Sequence, residues 1–113
     1  MQAMLKSSTT TRGREPEDVL IDNPHLGEVL MLEFIEPMGL SQSAVARAIG
    51  VSPRRINEIV LGKRAITAHT DLRLARYFGM SEGFFLGLQM DHDLLAQRRA
   101  LGAALDAIVP HAW

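Results

Sequence analysis

The 113-residue chain is long enough for one compact domain, and its composition excludes several classes of protein. Hydrophobic residues make up 47% of the chain and charged residues 22%, which is typical of a globular protein. The chain has no cysteine, so a disulfide scaffold and a thiolate metal site are excluded. No apolar run approaches the roughly 20 residues of a membrane span, and the N-terminal stretch lacks a signal peptide's apolar core. We therefore expect a cytoplasmic protein.

The net charge of −1 conceals an uneven distribution of charge along the chain. Residues 15–40 contain seven acidic residues and no Lys or Arg, whereas residues 41–76 contain seven basic and two acidic residues. A basic segment beside an acidic one indicates a single anion-facing surface on an otherwise acidic protein. The alternative is that these charges only keep surface helices solvated.

The spacing of apolar residues predicts an all-α fold of five helices, preceded by a flexible polar arm over residues 1–22. The first helix is predicted at about Leu26–Glu36, before Pro37 and Gly39. The next three helices are each expected to begin after a hydroxyl N-cap and to end at a glycine, over the ranges Ser41–Gly50, Ser52–Gly62 and Thr67–Gly79.

Ser81 is predicted to open the fifth helix, with interruptions at Gly87 and Gly102 before Pro110. We divide the chain into the arm (1–22), a main helical domain (23–90) that contains the motif described next, and a C-terminal helical extension (91–113). The extension carries an apolar stripe at helical spacing, for which we expect packing on the chain's own core or a dimer or partner contact. The stripe consists of Leu94, Leu101, Leu105 and Ile108.

Residues 42–61, QSAVARAIGVSPRRINEIVL, predict a helix-turn-helix. Four apolar residues at helical spacing would face inward, a small residue would allow close helix approach, a glycine would reverse the chain, and a valine would fill the turn. The seven positions, in chain order, are Val45, Ala46, Ile49, Gly50, Val51, Ile56 and Ile59. In such a motif the second helix enters the major groove of DNA.

The outward face of that second helix carries side chains that read bases. Arg54 can hold guanine O6 and N7, Asn57 can pair with adenine, and Glu58 can accept from cytosine N4, with Leu61 on the same stripe. Contacts to the DNA backbone are predicted for polar and basic residues around the motif, namely Gln42, Ser43, Ser52, Arg55, Lys63 and Arg64. The competing interpretation is a purely structural motif with solvated arginines. Because one unit would bind weakly, we expect a dimer on an inverted repeat.

Nothing in the sequence predicts catalysis or a cofactor. The four histidines, His25, His69, His92 and His111, have no metal-ligand spacing, and no nucleophile motif or phosphate-binding loop occurs. We expect no metal, no cofactor and no enzymatic activity.

The run Leu40–Lys63 resembles the Xre, or lambda-repressor-like, helix-turn-helix family. The wider span His25–Leu94 resembles one branch of it, the HigA (VapI-like) antitoxins of toxin–antitoxin modules. The matching stretches are HLGEVLMLEFIEPMGLSQ (25–42), SPRRINEIVLGKRAIT (52–67), LRLARYFG (72–79) and FFLGLQ (84–89).

This resemblance implies a small dimeric repressor of its own operon that binds a RelE-like mRNA endonuclease toxin. It also implies DNA contacts at Gln42, Ser52, Arg54, Arg55, Asn57 and Lys63. The sequence departs from the branch at Leu26, Asp71, Phe85, Gly87 and His92, where the branch usually has Pro, a small apolar residue, Trp, Asn and Tyr. The acidic stretch 15–36 could complement a basic ribonuclease, or it could be a solvated surface.

Two other functions stay open. One is a free-standing Xre-type regulator without a toxin. The other is a protein-inhibitor module whose DNA binding is vestigial, for which the acidic stretch and the C-terminal stripe are the motivation.

Overall fold

The computed structural model describes residues 22–112, and all their regular secondary structure is helical. Helix α1 has an α-helical turn over Leu26–Val29 and a π-helical segment over Leu30–Ile35. The helices that follow are α2 (Gln42–Ile49), α3 (Pro53–Val60), α4 (Ala68–Phe78), α5 (Phe84–Leu101) and the short α6 (Ala103–Asp106). The predicted all-α fold is confirmed. Residues 1–21 of the predicted arm lie outside the described part.

The π-helical segment lets α1 direct two residues five positions apart toward the core. Leu30 and Ile35 are both fully buried. On an α-helix, with 3.6 residues per turn, they would point about 140° apart. The wider backbone, marked by the hydrogen bond from Glu36 N–H to the Met31 carbonyl, brings them onto one face. The periodicity of an ideal α-helix does not predict this segment.

The core lies where α1 to α4 pack together and α5 closes one side. Its interior residues come from every one of these helices and from the loop before α4. Phe34, Phe78, Phe84 and Phe85 form an aromatic cluster with edge-to-face contacts, the geometry that aromatic rings prefer. Phe85 is fully buried at the centre of this cluster and anchors the first turn of α5 to α1 and α4.

Two of the predicted serine caps are confirmed. The Ser41 hydroxyl accepts from Ala44 N–H at 3.0 Å, and the Ser52 hydroxyl accepts from Arg55 N–H at 3.1 Å. Thr67 precedes α4 as expected, but its side chain makes no capping hydrogen bond.

The start of the fifth helix differs from the prediction. Helix α5 begins at Phe84 rather than after Ser81, and its N-cap residue is Gly83 with a φ of 89°. The cap comes instead from Asp71 on α4, a buried carboxylate that accepts from the N–H groups of Gly83, Phe85 and Leu86 at 2.6, 2.9 and 2.9 Å. A contact between residues twelve to fifteen positions apart overrides the local capping signal.

Helix α5 passes through Gly87 without interruption, so the break predicted there is wrong, whereas the break at Gly102 is confirmed. The proposed boundary at residue 90 falls within this continuous helix. The C-terminal apolar stripe does not pack on the chain's own core, because each of its residues is at least 43% exposed. In the described part of the chain, no helix is both long and apolar enough to cross a membrane.

Candidate nucleic-acid interface

The inner face of the α2–α3 pair is buried as the sequence pattern predicts. Val45, Ala46 and Ile56 are fully buried, and Ile49 and Ile59 are 6% and 2% exposed. These residues fix the orientation of α3 about its own axis. The opposite face of α3 is therefore forced outward.

The turn between α2 and α3 depends on a glycine and on an arginine from another helix. Gly50 has a φ of 79°, the left-handed conformation that favours glycine. The Arg73 guanidinium of α4 donates to the carbonyl of Ile49 at 2.6 Å and passes so close to Gly50 that a Cβ there would lie 2.8 Å from it. Arg73 therefore satisfies a carbonyl at the end of α2 and holds the turn against α4.

On the outward face of α3, the Arg54 side chain is 85% exposed, and Asn57 and Leu61 are exposed beside it. Glu58 lies in the same stripe, and its side chain is 23% exposed. The four residues predicted to share the groove-facing stripe thus lie together at the surface. Base contact by Arg54, Asn57 and Glu58 stays a prediction.

Gln42, at the start of α2, links α1 to α3. Its side-chain oxygen accepts from the Asn57 amide at 3.2 Å, and its amide nitrogen lies 3.7 Å from the Met31 sulfur. One amide hydrogen and the oxygen of Asn57 are not used in the contact with Gln42, and these are the two groups that a paired contact with adenine requires.

Glu58 joins two arginines on either side of it. One carboxylate oxygen accepts from Arg54 Nε at 3.1 Å, and the other accepts from Arg64 Nε at 2.8 Å. The Arg64 and Arg54 hydrogen bonds lower the pKa of the Glu58 carboxyl group below its ordinary value. Glu58 is therefore ionised at neutral pH, and both of its oxygens already have intramolecular donors.

The predicted backbone-contacting residues surround α3. Ser52 and Ser43 are exposed near the N-terminal ends of α3 and α2, and Arg55 is half-buried. Lys63 and Arg64 are exposed in the loop that follows α3. This grouping places four cationic side chains around one helix, with Glu58 as the acidic residue among them.

The loop carrying Lys63 and Arg64 is fixed at both ends. Lys63 N–H donates to the Glu58 carbonyl at 2.8 Å and Gly62 N–H to the Ile59 carbonyl at 3.0 Å, with Gly62 at a φ of 76°, which is a Schellman motif. Further along, the Gln89 side chain makes two hydrogen bonds with the backbone of Ile66. The basic loop is therefore an ordered part of the surface.

Sequence reasoning missed the residues that position this surface from a distance. Asp71, Arg73 and Gln89 each bond backbone groups that are twelve or more positions away. In the sequence, Asp71 stands out only because the antitoxin branch that the chain resembles usually has a small apolar residue at this position. No local sequence pattern indicated the contacts made by Arg73 and Gln89.

Metal binding has no support in the described residues. Within residues 22–112, no three His, Asp or Glu side chains come together in a group that could hold a metal ion. Among the histidines, the His25 ring accepts from Gly27 N–H and so caps α1, and the His69 ring accepts from Arg73 Nε.

The buried faces, the left-handed turn and the exposed polar stripe of α3 define a helix-turn-helix domain of the DNA-binding class. The Helix-turn-helix family matches residues 31–85. Among known sequences, Virulence-associated protein I of Dichelobacter nodosus is 54% identical over 70 residues, and Antitoxin HigA-1 of Vibrio cholerae is 36% identical over 69 residues. The matches cover 62% and 61% of this chain, and this chain spans 65% of the length of each relative.

A solved structure, that of the Pseudomonas aeruginosa antitoxin HigA with the higBA promoter, superposes with a TM-score of 0.73 at 36% identity. The match covers 80% of this chain and the whole of that one. The chain belongs to the helix-turn-helix family, in the branch that contains the HigA antitoxins.

Proposed function

We propose that the protein is a transcriptional repressor that binds a palindromic operator as a homodimer and serves as the antitoxin of a type II toxin–antitoxin module. The observation that carries DNA binding is the combination of Ile56 and Ile59 in the core with Arg54 and Asn57 on the outer face of α3. The Pseudomonas aeruginosa HigA, whose structure was determined with promoter DNA, supports the same use of this fold.

In this proposal α3 lies in the major groove. Arg54 and Asn57 contact base edges, and Glu58 lies beside them on the same stripe. Phosphate contacts come from the surrounding polar and basic residues, namely Gln42, Ser43, Ser52, Arg55, Lys63 and Arg64. Cationic contacts of this kind release counterions from DNA and make the affinity strongly dependent on salt.

Toxin neutralisation rests on family membership and on charge. Asp22, Glu28, Glu33 and Glu36 are exposed in and before α1, and residues 22–40 contain no Lys or Arg. An acidic surface suits a basic RNA-cleaving toxin and is unsuited to DNA phosphates. The protein has no catalytic role in this proposal, and operator binding places it in the cytoplasm.

The direct test is titration of the protein into a fluorescent duplex carrying its own promoter, at a series of salt concentrations. We expect saturable binding whose affinity falls steeply as salt rises, together with a large excess over a scrambled duplex of equal length. Binding that is absent, or equally strong on both duplexes, contradicts the proposed function.

Co-expression with the adjacent gene product separates the antitoxin from the two alternatives. An antitoxin both co-purifies with that product and binds the promoter. Promoter binding without a partner indicates a free-standing regulator. Co-purification without promoter binding indicates an inhibitor module.

A further inference from the structure

We propose that Glu58 is a positioning residue, which sets the orientation of two DNA-contacting arginines rather than reading a base itself. This inference rests on the proposed operator binding and deepens it by assigning the source of sequence discrimination. The three residues Arg54, Glu58 and Arg64 are called the Glu58 clamp below.

The arginine atoms that bind Glu58 are the Nε–H groups, and this choice leaves the outer ends of both guanidinium groups available. Glu58 takes the Nε hydrogen of each arginine, at 3.1 Å for Arg54 and 2.8 Å for Arg64. A guanidinium has five N–H donors in a fixed planar fork, so four Nη hydrogens of each arginine are left for other acceptors. The end of each fork can therefore face DNA while its inner edge is held by the protein.

The clamp also connects two different parts of the structure. Arg54 lies on α3 in the first turn after Pro53, whereas Arg64 lies in the loop beyond the end of that helix. The Glu58 carbonyl accepts from Lys63 N–H, so Glu58 holds this loop through its backbone as well as through its side chain. Glu58 thereby fixes the spacing between the Arg54 guanidinium, predicted to face the bases, and the Arg64 guanidinium, predicted to face the DNA backbone.

The exposure of the three side chains is consistent with this division of roles. Arg54 and Arg64 are 85% and 48% exposed, whereas Glu58 lies between and beneath them at 23%. The carboxylate is recessed behind the arginines that would meet DNA first. Direct acceptance from a cytosine would require Glu58 to compete with two charged donors that it already has.

Holding the two arginines in place before DNA binds favours discrimination between the operator and other DNA over affinity for DNA in general. Holding a flexible arginine in its binding geometry lowers the entropy lost when it pairs with a guanine. The carboxylate also repels phosphates, so it opposes non-specific binding, which depends mainly on charge. Removing the carboxylate should thus weaken operator binding relative to non-specific binding, without weakening the latter.

The first experiment needs no DNA. In the free wild-type protein at about pH 5.5, where Glu58 is ionised, the Nε–H resonances of Arg54 and Arg64 should be shifted away from those of the other arginines in a ¹H–¹⁵N spectrum. In Glu58→Gln both should move toward the positions of solvated arginines, because the amide is uncharged and offers one acceptor oxygen in place of two. Unchanged resonances in the variant would overturn the clamp, whatever the protein does with DNA.

The second experiment measures discrimination. Glu58→Gln should bind a scrambled duplex at least as tightly as wild type, and its operator-to-scrambled affinity ratio should fall by about fivefold or more, the lower end of what a bidentate base contact contributes. Glu82→Gln is the matched control, because it removes the same charge from an exposed residue in the turn between α4 and α5, outside α3 and the basic loop. The control should keep the wild-type ratio.

Operators with single base-pair substitutions then identify the route by which Glu58 acts. If Glu58 is a positioning residue, Glu58→Gln should lose sequence preference at the same base pairs as Arg54→Ala, because Glu58 acts through Arg54. Loss at a different base pair would mean direct contact by Glu58 and would overturn the proposal. An unchanged ratio in Glu58→Gln refutes only the clamp, whereas a wild-type protein that does not prefer the operator refutes the proposed function.

Discussion

Arg54 and Lys63 are both exposed cations near α3, but they are placed for different contacts. Arg54 projects from the outer face of the helix, whereas Lys63 lies in the loop beyond its C-terminal end. A base-reading arginine contributes to sequence preference, and a phosphate-binding lysine contributes to affinity for any duplex.

We expect Arg54→Ala to cost about 1–3 kcal/mol on the operator and to relax sequence preference at its base pair. Lys63→Ala should weaken operator and scrambled duplexes by a similar factor and reduce the salt dependence by about one ion. Fluorescence anisotropy on both duplexes over a salt series distinguishes these outcomes. Identical behaviour of the two variants would contradict the assigned roles.

Asp71 is a buried carboxylate, 1% exposed, whose three hydrogen bonds are all with the first turn of α5. The N-terminal end of a helix carries partial positive charge, which favours a carboxyl group at this position. We expect Asp71→Ala to lower the free energy of unfolding by about 2–4 kcal/mol, because it leaves buried N–H groups without an acceptor.

Asp71→Asn is the matched comparison, since it keeps one acceptor oxygen and the side-chain size, and it should cost less than Asp71→Ala. Urea denaturation followed by circular dichroism measures both. Wild-type stability in Asp71→Ala would show that water replaces the carboxylate at no cost.

At the level of helices, α1 lies close against the end of α3 at Gly27. A Cβ added there would overlap the carbonyl oxygens of Ile59 and Val60 at the end of α3. By contrast, Gly87 on α5 has open space where a Cβ would lie. The two glycines therefore provide opposite tests of helix packing.

Gly27→Ala should destabilise the fold by about 1–3 kcal/mol and should also weaken operator binding in the molecules that remain folded, because α3 must move. Gly87→Ala should stabilise it by about 0.5–1 kcal/mol, since alanine favours the helix and meets no neighbour. Thermal melts and operator titrations check both. A destabilised Gly87→Ala would indicate that this face of α5 is more crowded than the structure has it.

Whether the sequence predicts these helices depends on how far apart along the chain the residues that define each helix lie. The α2–α3 pair was predictable because its inward residues, its serine caps and the glycine of its turn lie within about 20 residues. The Arg54–Glu58 pair also follows from its spacing of four. The start of α5 and the partner role of Arg64 were not predictable, because they depend on Asp71 and on the turn at Gly62.

For the molecule as a whole, the apolar stripe at the C-terminal end leaves four large apolar side chains exposed. Leu94 and Leu101 are 53% and 44% exposed, and Leu105 and Ile108 are 43% and 68% exposed. In the proposed homodimer we predict that this stripe forms the contact between subunits. The operator half-sites then lie about one helical turn of DNA apart.

We expect a Leu101→Glu, Leu105→Glu double variant to sediment as a monomer and to bind a single half-site as well as the full operator. Met38→Glu is the control, because Met38 is a similarly exposed apolar residue, at 54%, in the turn after α1 and is not part of the stripe. Analytical ultracentrifugation measures the mass. A double variant that remains dimeric would place the subunit contact elsewhere.

The π-helical segment of α1 has a consequence for how this fold accommodates changes in chain length. Removing one exposed position such as Leu32 would leave Leu30 and Ile35 four apart, the separation at which an ordinary α-helix aligns two side chains. A deletion of a single residue can therefore be absorbed at this point without shifting the interior. Relatives that differ by one residue between Leu30 and Ile35 would then be aligned correctly only by placing the gap inside the helix.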